Sequence, residues 1–173
     1  MLTVLKILQY LVRSLNSDGT PGQVAAGIAL GAALGLTPLL SLHNLVIVAV
    51  IFLLNVSVPG ALLGWLASVP LGFALDPLFD RLGGALLLDT PSLEPVWATV
   101  NNTPVLGLAN LNNTVVLGSL IFWLAAALPL FFLAKLGVMQ YRAKLYVKIK
   151  DSKALQLMRA SKLYAVYRWF RPE

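Results

Sequence analysis

The sequence predicts an all-α integral membrane protein. Its helices are short, broken by proline and glycine, transmembrane or re-entrant, and flanked by amphipathic N- and C-terminal helices. Three observations predict this class. Apolar residues make up 58% of the 173 residues and charged residues 12%, whereas a soluble domain carries about 25% charged residues. Mean hydropathy is +0.81. The charge is also segregated: residues 21–134 hold one base, Arg81, against Asp76, Asp80, Asp89 and Glu94, while residues 135–173 hold ten bases against Asp151 and Glu173. Residues 22–75 carry no charge, so helices built from them have no charged outer face to offer water. Lipid is the solvent that fits. Disorder, collagen and a coiled coil are excluded by the same composition. With no Cys and one His, disulfides, thiolate chemistry and a multi-His metal centre are excluded too.

Residues 1–20 predict an interfacial amphipathic helix. Val4, Leu8, Leu11 and Leu15 share one side, and Lys6, Gln9 and Arg13 fall on the other, the pattern of a helix lying on a membrane surface. A membrane domain follows over 21–135. Thr20-Pro21-Gly22-Gln23 reads as an N-cap, a proline at N1 and a capping box closed by Gln23. Gly27, Gly31 and Gly35 recur every four residues, and Gly60 and Gly64 repeat that spacing. Such smooth stripes let two helix backbones approach closely in lipid. Pro38 ends the first segment, Ser41, His43 and Asn44 follow, and Leu45–Leu54 is wholly apolar up to Asn55. A third segment is expected over 60–75. Residues 76–103 read as an outward-facing loop in which Asp76-Pro77 caps a short interfacial helix. The last segment, 111–134, includes the unbroken apolar run Leu120–Leu133.

A full span needs about 20 residues. The first three segments fall short of that, so two topologies fit: four short crossing helices, or a re-entrant hairpin over 22–54 with its Pro38–Asn44 tip inside the membrane. Both keep the two termini on one side. The basic residues of 136–173, with Lys6 and Arg13, assign that side to the cytoplasm. Residues 136–173 read as a basic amphipathic cytoplasmic tail. There Arg142, Lys144, Lys148, Arg168, Trp169 and Arg171 are the expected contacts to the membrane surface or to a partner. Anionic lipid lies beside a tethered tail, so lipid and not nucleic acid is the expected partner of this charge.

Polar residues inside a membrane are functional candidates. Pro38, Ser41, His43, Asn44, Asn112 and Asn113 form the expected substrate or lipid pathway. His43 titrates near neutrality and suits a proton relay or a headgroup contact. The competing role is a structural bond to a backbone carbonyl freed by Pro38. Ser41 has no base in register by sequence, so a Ser-His-Asp triad is not expected. Asp76 and Asp80 share a helical spacing that could hold a cation or serve as acid and base, beside the capping role. No phosphate loop is present. No catalytic residue, metal ligand or cofactor is expected.

Gly31-Ala32-Ala33-Leu34-Gly35-Leu36-Thr37-Pro38, the polar Ser41–Asn44 cluster, an apolar helix ending at Asn55, and the Asp76-Pro77 step together resemble a bacterial membrane family. It is the domain of unknown function numbered two thousand and sixty-two. The resemblance covers about 20–135. The family's Gly-x-Gln after the proline is replaced by Ser41-Leu42-His43, so a headgroup role for that Gln does not carry over. The whole chain, basic tail included, resembles a short subfamily of Gram-negative bacteria. The resemblance implies a lipid setting and a larger envelope protein as neighbour. The expected function is a non-enzymatic inner-membrane subunit that handles phospholipid or anchors a larger lipid-transfer partner, with self-association as a further expectation. The alternative is a small oligomeric transporter or channel for a small solute or ion.

Overall fold

The computed structural model describes residues 19–38 and 41–145. The expected terminal amphipathic helices, with Lys148, Arg168, Trp169 and Arg171, lie outside the described residues, as does the side chain of Lys144. Among the described residues every regular element is helical: α1 Pro21–Leu36, α2 Leu42–Leu53, α3 Val58–Leu87, a 3-10 turn Pro91–Leu93, α4 Glu94–Asn102, α5 Pro104–Gly107, α6 Thr114–Gln140 and a π turn Tyr141–Leu145.

α1 starts where the sequence predicts. The Thr20 hydroxyl accepts from the Gln23 amide at 3.2 Å, and the Gln23 side chain accepts from the Thr20 amide at 2.8 Å, closing the capping box. Beyond the tip the chain returns through α2. Asn55 then takes a left-handed conformation, φ 51, which Asn tolerates better than most residues. The Gln23 side chain donates to the Asn55 carbonyl, and the Ser57 amide donates to the Gln23 carbonyl. The α1–α2 hairpin thus ends level with its start, and α3 sets out again alongside α1.

α1 and α3 run parallel and in backbone contact. A Cβ at Gly27, Gly31 or Gly35 would meet the backbone of Ser57, Ala61 or Trp65 respectively, and one at Gly60 or Gly64 would meet Val24 or Ile28. Only glycine permits this approach. Val24, Ala25, Ala29, Ala32, Ala33 and Ala61 are buried, and Ala33 and Ala61 share a core cluster with Ile47 and Ile51 of α2. α6 runs back antiparallel to α3. Its Trp123 indole donates to the Ala29 carbonyl at 2.9 Å, and Phe79 of α3 packs on Phe122 with ring centroids 5.3 Å apart. Arg142 donates to the Gly19 carbonyl at 2.9 Å, so both ends of the described chain meet at one end of the bundle.

One expectation is corrected. The third segment does not close at 75, and residues 76–87 are not loop: α3 continues through Pro70 and Pro77 to Leu87. Asp76-Pro77 therefore caps nothing. Each proline removes one backbone donor. A long helix clamped by neighbours on both halves keeps its course despite such losses. At 1.5 Å per residue, the 30 residues of α3 extend about 45 Å and the 16 of α1 about 24 Å. α1 therefore accompanies only the first half of α3, its end lying beside Gly72. α3 and α6 are long and apolar enough to cross a membrane, and α1 and α2 are shorter.

Candidate functional site at the hairpin tip

α1 stops because Pro38 has no amide proton to continue it. The Thr37 amide makes the last bond, to the Ala33 carbonyl, and the buried Thr37 hydroxyl lies 2.8 Å from that carbonyl and 2.8 Å from Asn44 Oδ1. The Asn44 side-chain amide donates to the Pro38 carbonyl at 2.8 Å, and Ser41 Oγ donates to the same carbonyl at 2.9 Å. Asn44, 4% exposed, is therefore the post across which the hairpin turn is tied. Backbone groups at a buried turn need such partners.

His43 Nε2 lies 2.9 Å from Ser41 Oγ. This corrects two expectations. Ser41 does have a base in reach, and His43 meets that hydroxyl rather than a backbone carbonyl freed by Pro38. Because Ser41 directs its proton to Pro38, the network assigns the imidazole proton to Nε2, which donates to Ser41. That is the reverse of the polarity a serine nucleophile requires. His43 Nδ1 and the Trp65 indole nitrogen are buried without hydrogen-bond partners among the described residues, so no acid orients the imidazole.

Two recesses flank the tip, and Leu34 lines both. The first, about 680 Å³, lies on the α2 side between Leu45, Val48, Leu62, Trp65 and Leu108, with Ser41 and Asn44 as its polar members. The second, about 540 Å³, lies on the α6 side between Thr37, Pro38, Val69, Phe73, Asp76 and Val115. Asn112 and Asn113 are not brought to the tip cluster. With Asn110 they line a separate recess of about 310 Å³, and Asn113 caps α6, its Oδ1 accepting from the Val116 amide at 3.1 Å. Asp80 accepts from the Thr114 hydroxyl, which ties α3 to the start of α6. No group of His, Cys, Asp and Glu able to hold a metal occurs among the described residues.

Sequence reasoning passed over Thr37, Trp65 and Leu34 as site residues. Thr37 was legible in principle, because a hydroxyl before a helix-ending proline can satisfy the last turn. Thr103, before Pro104, does the same toward the Thr99 carbonyl at 2.8 Å. Trp65 and Leu34 become neighbours only because two glycine stripes lock α1 against α3.

Fold and site define a class: a protein helical throughout its described residues, with two helices apolar and long enough to cross a membrane, and a short hairpin with a polar tip between apolar recesses. The chain belongs to the family described as "Uncharacterized protein conserved in bacteria (DUF2062)", whose model matches residues 5–145. A protein of Treponema pallidum (strain Nichols), described as an uncharacterized protein, is 36% identical over 164 residues, covering 92% of this chain and 98% of its own length. No solved structure matches the chain.

Proposed function

We propose that this is a non-enzymatic protein of the bacterial inner membrane, with both termini cytoplasmic, which handles phospholipid at the hairpin tip as a subunit or anchor of a larger envelope lipid-transfer partner. The α2-side recess carries this reading. Its walls are aliphatic and aromatic, and its polar groups, Ser41 and Asn44, sit together at the tip, the division that an acyl chain with a polar end requires. The outer surface supports a lipid setting. Leu45, Phe52, Leu53, Leu128 and Leu133 are each at least 67% exposed, and large apolar side chains exposed in such number suit a lipid or protein neighbour better than water. Orientation follows from the ten bases after residue 134.

Purification of the full chain from membranes in mild detergent, followed by lipid extraction and identification of co-purifying proteins, tests the reading. The expected result is phospholipid in fixed proportion to protein, a large envelope protein in the complex, and loss of lipid when Leu62→Trp fills the recess. A lone homo-oligomer free of lipid would favour the small-solute transporter instead.

A further inference from the structure

We infer that the α6-side recess binds an alkylammonium group, with Asp76 as its counter-ion, and that an aminophospholipid headgroup supplies it. This inference rests on the lipid-handling reading above. Asp76 is the charged residue of the recess lining. It is partly buried, and among the described residues it makes no hydrogen bond or ion pair. Its neighbours do not neutralise it. Asp80 is engaged by Thr114, and Arg81, five residues on, points about 140° around the helix from Asp76. A carboxylate against apolar walls at membrane depth calls for a cationic partner. A metal ion does not suit, since no cluster of ligating side chains surrounds it among the described residues.

The rest of the lining suits an organic cation. Phe73 lies three residues before Asp76, on the same helix face; it lines the recess and is an exposed residue. An aromatic face beside a carboxylate receives an ammonium by cation–π attraction as well as by charge. Pro38 contributes no amide donor for an anion. Leu34, Leu36, Val69 and Val115 complete the wall and accommodate methylenes. Because Leu34 also lines the α2-side recess, an acyl-chain groove and an ammonium site flank the same turn of α1. An anionic headgroup would meet only repulsion from Asp76.

Native mass spectrometry of the full chain in detergent micelles tests this, using phosphatidylethanolamine and phosphatidylglycerol with identical acyl chains, and free ethanolamine as competitor. The expected result is about tenfold tighter binding of the ethanolamine lipid. Asp76→Asn should bring the ratio to within about twofold, and Asp76→Glu should keep most of it. Asp76 makes no internal bond, so Asp76→Asn should melt with the parent protein; Phe73→Leu, which leaves the charge in place, should give an intermediate ratio. Equal binding of the two lipids, or a preference unchanged in Asp76→Asn, overturns the ammonium site and leaves lipid handling standing. Displacement of the lipid by free ethanolamine at equal concentration overturns the lipid as source. Absence of any bound phospholipid overturns both readings.

Discussion

At the scale of single residues, the fold depends on positions where two backbones touch and on one buried amide. A Cβ at Gly31 would fall on the Ala61 carbonyl, whereas one at Gly107 would stand 3.2 Å from the Asn101 carbonyl. Gly31→Leu should therefore abolish folding or halve the yield of folded protein in detergent, and Gly107→Leu should leave most of it; size-exclusion profiles of the two variants check this. Overpacking a tight seam costs about 1–3 kcal/mol or more. Asn44 serves the Pro38 carbonyl and the Thr37 hydroxyl at once. Asn44→Leu should cost about 1–3 kcal/mol, measured as lost thermal stability, because two buried hydrogen bonds of the turn are lost while Ser41 and the Ala33 carbonyl leave each group one partner. The glycine stripe was legible from spacing alone. The Asn44 ties were not, because nothing in the sequence of the turn says which carbonyl a buried amide will reach.

At the scale of elements, the sequence marks helix starts better than helix ends. The Thr20 capping box and the break at Pro38 sit where the sequence puts them, and α6 starts at Thr114, three residues after the expected 111. The extent of α3 was missed, because Pro70, Asp76-Pro77 and Asp80-Arg81 read as punctuation. Contact with α6 overrides them: a Cβ at Gly83 would strike the Thr114 carbonyl, and one at Gly118 the Phe79 carbonyl. This second glycine clasp has no signature in the sequence, because its partners lie 35 residues apart without a repeat. Gly118→Ala should lower the melting temperature in detergent markedly. Gly137→Ala, which meets open space, should be neutral or stabilising by up to about 1 kcal/mol. The tail belongs to the same scale. A peptide of residues 138–171 should gain helix on anionic vesicles and not on neutral ones, since each base near such a surface contributes about 1 kcal/mol. Salt should weaken that binding without abolishing it, because Tyr141, Tyr146, Tyr164, Tyr167, Trp169 and Phe170 bury area that salt does not screen. Circular dichroism with and without vesicles reads both effects.

At the scale of the whole molecule, two long antiparallel helices, α3 and α6, hold a hairpin that reaches about half of α3. The Arg142 bond to Gly19 closes the described chain at the end where the tail departs. Placed in a membrane with this end in the cytoplasm, the α3–α6 connection with Asp89 and Glu94 faces outward, and the hairpin enters from the cytoplasmic leaflet. Charge asymmetry is the ground on which that orientation is proposed. The depth of the hairpin was not legible in the sequence, since its two helices are too short for a comfortable span and too apolar for a surface loop. The absence of cysteine makes the central claim directly measurable. Single cysteines at Ser17, Ser92 and Ser152 can be challenged in intact cells with a membrane-impermeant thiol reagent, before and after the inner membrane is permeabilised. The account predicts that Ser92→Cys reacts in cells whose inner membrane is sealed, and that Ser17→Cys and Ser152→Cys react only once it is opened. Labelling of all three while the inner membrane is sealed, or of none of them until it is opened, would contradict it.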